Sequence, residues 1–261
     1  MIEVENLTKL YGDFKALDDV TFSVDQGEVL AFLGPNGAGK STTMKILTGY
    51  LAPNGGRASI DGLDVVTDSR QVRERIGYLP ETTPLYYDMQ VNEFLSFAGK
   101  LRGIPRALRR GRLGWVADIC NLDEFWKKPI GVLSRGQKQR VGFAAAIMHD
   151  PDVLILDEPT AGLDPNQIQE VRRLIKGFAE KKTIILSTHI LQEVHAICDR
   201  IVLINRGRIA ADTTVEEMER EHGDLDTAFR ALTVDSPKDL PKDLAQDHAQ
   251  DMTGEESTHV S

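Results

Sequence analysis

The sequence predicts an α/β fold with a mixed, largely parallel core sheet, an N-terminal antiparallel β subdomain and an inserted helical subdomain. Three observations predict it. Apolar runs of strand length alternate with helix-patterned segments. A polar and apolar alternation is confined to the first stretch, Ile2 to Asp25. A long helical stretch separates two of the apolar runs.

Ile2 to Asp25 alternates around a Tyr-Gly turn, the period expected of antiparallel strands with one covered face. EVLAFLG, Glu28 to Gly34, is a short apolar run that ends in a Gly-rich loop before the helix-patterned STTMKILTGY, so the order is strand, loop, helix. From about Asn92 to Met148 the chain turns largely helical, with NEFLSFAGKLRG, ALRRGRLGWVADICNL and RGQKQRVGFAAAIMHD. The arginines of this part, Arg102, Arg106, Arg109, Arg110 and Arg112, read as a solvated helix face in preference to a surface for anionic lipid or a partner. VLILDEP, Val153 to Pro159, and TIILSTH, Thr183 to His189, are the continuous β-branched runs of strands covered on both faces, and each precedes a helix-patterned segment. Such a sheet takes its ligand at the strands' carboxyl ends.

Val234 to Ser261 lacks aromatics and carries seven carboxylates against two lysines, so residues 234–261 are expected to be a disordered acidic tail and 1–233 the folded domain, with its helical subdomain near 92–148. The net charge of −9 argues against a nucleic-acid partner held by bulk electrostatics. Cys120 and Cys198 have no metal-like spacing and read as buried thiols of a reducing compartment. No run of about 18 apolar residues occurs and the N-terminus has no apolar leader, so the expected location is the cytoplasm.

GPNGAGKS, Gly34 to Ser41, fits G-x-x-x-x-G-K-[ST] in the strand–loop–helix context that gives the motif meaning, that of a P-loop NTPase. Glycines at 34, 37 and 39 let successive N–H groups of Gly34, Pro35, Asn36, Gly37, Ala38 and Gly39 and their neighbours wrap one anion, proline contributing none, and the helix adds its positive end at Ser41 and Thr42. Lys40 is expected to meet the β- and γ-phosphates of ATP and Ser41 to ligate Mg²⁺. In VLILDE, Asp157 and Glu158 end a buried strand, where carboxylates belong only if they meet a cation or a water. Asp157 suits the metal and Glu158 the attacking water.

LSRGQKQR, Leu133 to Arg140, resembles the LSGGQ signature of the ABC (ATP-binding cassette) ATPases and lies at the family's usual distance ahead of the Walker-B strand. TKLYGDFKAL is similar to the family's adenine-stacking segment, AGLD (Ala161 to Asp164) to its D-loop, and His189 to its switch histidine. Tyr11 serves either as that stacking ring or as a surface aromatic of the turn, and His189 either senses the γ-phosphate or is structural. The resemblance implies that Ser134 and Gly136, at a helix start, close on the ATP of a second cassette, with Asp164 at the same junction. Two chains, a homodimer for preference, would sandwich two ATPs. Two residues depart from the family pattern: Glu81 stands where the Q-loop offers Gln, keeping an oxygen for Mg²⁺ but adding a negative charge, and Arg135 replaces the first glycine of the signature pair.

The single cassette, the YLPE segment and the TAFRALT-like end resemble motor subunits of ABC-2-type transporters, which work with a separate polytopic permease on the cytoplasmic face of the membrane, most often in export. KKPIGV stands where fused exporters carry a TEVGERG-like stretch. Without long heptads or a second P-loop, a chromosome-scaffold or ribosome-factor ATPase does not fit. An ABC ATPase of a regulatory or non-transport assembly is the alternative. His149 and His195 are assigned no role.

Overall fold

The computed structural model describes residues 1–233; the segment 234–261, expected to be a disordered tail, lies outside the described residues. A hairpin of β1 (Ile2–Tyr11) and β2 (Phe14–Val24) leads into β3 (Val29–Leu33) and α1 (Lys40–Leu47). The short strands β4 (Gly55–Ile60) and β5 (Leu63–Asp64) follow, then α2 (Ser69–Arg75) and β6 (Ile76–Leu79). Helices α3 (Val91–Leu101), α4 (Arg106–Ile119) and α5 (Arg135–Ile147) occupy the stretch that reads as helical. The chain continues through β7 (Val153–Asp157), α6 (Pro165–Ala179), β8 (Thr183–Thr188), α7 (Leu191–Ile197) and β9 (Arg200–Asn205), and the described part closes with β10 (Arg208–Thr214), α8 (Val215–His222) and α9 (Leu225–Thr233).

Two sheets result. An antiparallel one has the order β2-β1-β4-β5, and a six-stranded one the order β10-β9-β3-β8-β7-β6. In the second, β9, β3, β8, β7 and β6 run parallel and β10 joins β9 antiparallel, so the sheet is mixed as expected. Its inner strands β3, β7 and β8 are buried on both faces because both are covered, whereas the edge strand β10 is exposed and polar. Val29, Ala31 and Leu33 of β3 point into one core with Leu154, Leu156, Ile184 and Leu186, beneath α5 and α6. Leu30 and Phe32 point into the other with Ile155, Ile185 and the inward residues of β1 and β2, where Phe32 meets Phe22 at 5.2 Å between ring centroids. With both faces sealed, polar side chains can leave the sheet only at strand ends. Among the described residues no helix is long and apolar enough to cross a membrane.

The arginines read as one solvated face do not share one helix: Arg102 caps the end of α3 in the turn that leads to α4, and Arg106, Arg109, Arg110 and Arg112 lie on α4. Half-buried Arg102 donates Nη1 to the carbonyl of Arg73 at 2.6 Å, Arg109 donates to Ile104 O at 2.8 Å, and Arg112 pairs with Asp150 at 3.2 Å. Arg106 and Arg110 are exposed as expected. Cys120 and Cys198 are free and buried, and burial pushes both thiols up, Cys120 to about 12.

His149 joins the end of α5 to the edge strand β6 through Nε2 and Ile76 O, 3.0 Å apart. Burial, helped by the charge of Arg102, pushes the imidazole down to about 4 from its usual 6.5. The unfolded chain therefore takes up this proton near pH 6.5 and the folded chain only near 4, so the contribution is fully present above 6.5 and is lost as the pH falls through that window. Urea unfolding of the wild type and of His149→Gln at pH 7 and pH 4 should show the wild type losing more stability, by at most about 3 kcal/mol; equal losses would contradict the assignment.

Candidate active site

The loop after β3 has to turn sharply to start α1, and Gly39 makes the turn at φ +115. A Cβ there would lie 2.8 Å from the carbonyl oxygen of Ala16, so the position excludes any side chain. Ala38 is buried beneath the loop, and its carbonyl accepts from Gly207 N at 2.9 Å, which ties the loop to the β9–β10 turn. The next residue, Lys40, is only 6% exposed. Its Nζ donates to Gly34 O at 2.7 Å and Pro35 O at 3.2 Å and lies 3.6 Å from Glu158 Oε1. Burial lowers the pKa of this ammonium, opposed by the nearby carboxylates of Glu158 and Asp157.

All five residues of β7 are buried, and Asp157 and Glu158 stand where it ends. Asp157 Oδ1 accepts from Ser187 Oγ at 2.8 Å and from Ser41 Oγ at 3.3 Å, which joins three segments at one oxygen. Glu158 has the left-handed φ of 49, an uncommon backbone state for a side-chain-bearing residue and one that clusters at functional sites. Its amide donates to Ser187 O at 2.9 Å, and its carboxylate is directed to Lys40 and to His189, whose Nδ1 lies 2.8 Å from Oε2 and 2.9 Å from Oε1. Behind His189, Thr188 Oγ1 donates to Glu193 Oε2 at 2.8 Å. Glu193 is fully buried and burial raises its pKa, so it braces the end of β8 at an electrostatic cost.

These groups open onto one cleft of about 480 Å³. Tyr11, Asn36, Gly37, Gly39, Lys40, Ser41 and Thr42 line it on the loop side, and Glu81, Glu158 and His189 on the other. Gly34, Pro35, Ala38 and Asp157 stand behind that lining as backbone acceptors, packing or anchor. Ser134, Gly136 and Asp164 are not part of it. Ser134 caps α5, accepting from Gln137 N at 3.2 Å while Gln137 Oε1 accepts from Ser134 N at 2.9 Å. Asp164 caps α6, its Oδ1 accepting from Asn166 N and Gln167 N, both at 3.0 Å.

Sequence reasoning missed Phe14, Ser187 and Glu193. Phe14 lies opposite Tyr11 in the hairpin register and lines the cleft beside it, with both rings exposed. The two-residue turn was the signal, since directly opposed residues of a hairpin share a face. Ser187 was visible only as a polar residue late in an apolar run, and Glu193 had no local sign.

Among the described residues no three carboxylates, histidines or cysteines converge as a complete metal cage. Ser41 and Asp157 instead offer two hard oxygens, a partial shell of the kind Mg²⁺ uses when phosphate and water supply the rest, so the residues fit that ion. The family model described as ABC transporter matches residues 17–161. The chain belongs to the ABC transporter family. The ABC cassette is 36% identical to the bacitracin transport ATP-binding protein BcrA of Bacillus licheniformis, over 85% of this chain and 72% of that one. It is also 36% identical to the Nod factor export ATP-binding protein I of Ralstonia nicotianae, over 84% and 68%. The dimeric post-hydrolysis structure of the ATP-binding cassette MJ0796 bound to ADP and Pi superposes with a TM-score of 0.75 at 26% identity, covering 82% of this chain and 98% of that one. This ABC subunit is thus an ATPase with the fold of a P-loop NTPase.

Replacing Gly39 by Ala should distort the phosphate loop, because both the φ and the Ala16 carbonyl oppose it. Fluorescent-nucleotide titration should show ATP affinity reduced about tenfold or more, the equivalent of one lost charge-assisted contact; unchanged affinity would show that the loop relaxes without cost.

Proposed function

We propose that the chain is the motor of a membrane transporter: two copies clasp two Mg-ATP, hydrolyse them and drive a separate polytopic permease, in the direction of export. One observation carries the reading. The cleft holds the loop, Lys40, Glu158 and His189, while Ser134 and Gly136 lie outside it at the start of α5. A hydroxyl and helix-start N–H groups suit a phosphate, and they do not line their own chain's cleft, so a second copy is the natural recipient. The dimeric relative supports this arrangement.

Within the cleft, Tyr11 and Phe14 offer rings for the adenine and the loop amides hold the phosphates, with Lys40 against the β- and γ-phosphates. Ser41, Asp157 and the oxygen of Glu81 would hold Mg²⁺, which when bound draws charge from the phosphate oxygens. Glu158 accepts the proton of the attacking water as its oxygen closes on the γ-phosphorus and the bond to ADP breaks. His189, in contact with Glu158, holds that carboxylate and addresses the γ-phosphate. Asp164 keeps the D-loop in place for the partner. Residues 1–233 form the cassette in this reading, with the helical subdomain near 92–148.

The permease contact has a candidate seat. A groove of about 570 Å³ lies between the end of β6 and α3, lined by Tyr50, Tyr78, Pro80, Thr82 and Phe94. Glu81, between Pro80 and Thr82, lines the nucleotide cleft instead. A displacement in the groove is therefore passed to the nucleotide through one residue. Binding there would hold the chain on the cytoplasmic face of the membrane, and the relative whose name speaks of Nod factor export supports the direction.

Glu158→Gln should bind ATP normally yet lose about 10²- to 10⁴-fold in hydrolysis, the range for a positioned base, and should dimerise in Mg-ATP by light scattering. Lys40→Ala should weaken ATP binding by roughly one to two orders of magnitude. A monomeric Glu158→Gln protein in excess Mg-ATP, alone and with the permease that co-purifies with it in detergent, would refute the sandwich.

A further inference from the structure

The two residues that depart from the family pattern carry opposite charges, and each is placed awkwardly in the isolated chain. Glu81 is exposed at the cleft that already contains Glu158, and among the described residues it makes no hydrogen bond or ion pair. Its charge is felt by Lys40, which is held by Gly34 O, Pro35 O and Glu158. Arg135 is the first residue of α5, exposed, and likewise without an ion pair among the described residues. A cation there faces the positive end of the helix, and the first turn contains no acid to offset it. Its guanidinium rests over Gly162, where a Cβ would come within 2.3 Å of Nη1, so Gly162, at φ +68, leaves room for it. An unpaired anion at the cleft and an unpaired cation beside Ser134 are complementary, but within one chain they do not pair with each other among the described residues.

We infer that Glu81 of one copy and Arg135 of the other form an ion pair at the edge of the shared nucleotide, and that this makes the chain self-complementary. The inference rests on the sandwich proposed above. If Ser134 and Gly136 close on the partner's cleft, the residue between them arrives there too, and Glu81 lines that cleft. A two-fold axis then yields two such pairs, one over each ATP. With one carboxylate oxygen toward Mg²⁺, Glu81 turns the other to Arg135, which offsets the charge the acid adds near the γ-phosphate, and Glu81 offsets the cation at the helix start. The preferred partner is therefore a second copy of this chain; a cassette with an uncharged residue at both positions would forgo both pairs.

Charge reversal tests this in the Glu158→Gln background with Mg-ATP, reading the monomer–dimer equilibrium by analytical ultracentrifugation. Glu81→Arg alone sets two arginines at each site and Arg135→Glu alone sets two acids, so each should dimerise at least about tenfold more weakly than the parent. An equimolar mixture restores an opposite pair at both sites, one of them reversed and the other as in the parent, and should dimerise more tightly than either variant by itself. A mixture no better than its components would overturn the ion pair while leaving the sandwich intact, whereas a parent that does not dimerise would overturn the sandwich first. Should Glu81→Arg lose ATP binding as a monomer, the milder set Glu81→Gln, Arg135→Gly and their double variant decides: the pair requires the double to weaken dimerisation little beyond either single, and independent, multiplying effects would refute it.

Discussion

A buried ammonium facing a buried carboxylate is the constraint on which the rest of the structure depends. Lys40 and Glu158 are both more than nine-tenths covered and stand 3.6 Å apart. Taking either charge out of water alone would be costly. The protein offsets that cost with backbone carbonyls on Lys40 and with His189 on Glu158. Each partner demands a fixed backbone: Gly34 and Pro35 must curl their carbonyls inward, and Glu158 must take up a left-handed φ. The phosphate loop and the end of β7 are thereby shaped by the same pair of charges.

The sheet makes that pair possible. β3, β7 and β8 are neighbours through β8, and their carboxyl ends come out together. Ser187 at the end of β8 anchors Asp157 at the end of β7, and Ser41 reaches the same oxygen from the start of α1. Because both faces of the sheet are packed with apolar side chains, polar groups gather at this rim. Two exposed rings reach it from the other sheet, whose hairpin ends on Tyr11 and Phe14. Chemistry is thus concentrated at one edge by packing.

What the cleft lacks is as informative as what it holds. Ser134 and Gly136 have the chemistry of a phosphate contact, yet α5 presents them elsewhere, with Gly136 buried against Gln167. In the proposed sandwich one chain carries two halves of two sites, so that nucleotide binding and association become one process, in which ATP contributes contact surface and its hydrolysis removes it. Glu81 stands between the groove proposed for the permease and the cleft, where, on that proposal, a third event, movement in the membrane partner, would enter.

Much of this was legible in the residue order. GPNGAGKS and VLILDE suggest their chemistry through short spacings, because one turn of loop or one strand end fixes which atoms can face an anion, whereas LSRGQKQR was legible through its resemblance to the family signature. The period of the apolar residues likewise determined the strands, the helices and the parallel core. Other features belong to the tertiary structure alone. Ser187 against Asp157, Glu193 beneath Thr188, the absence of Ser134 from the cleft lining and the placing of Arg102 in the turn before α4 all depend on strand order, on register or on a turn between helices. A sequence records how near neighbours constrain one another, whereas contacts across many tens of residues exist only once the packed sheet has brought their segments together.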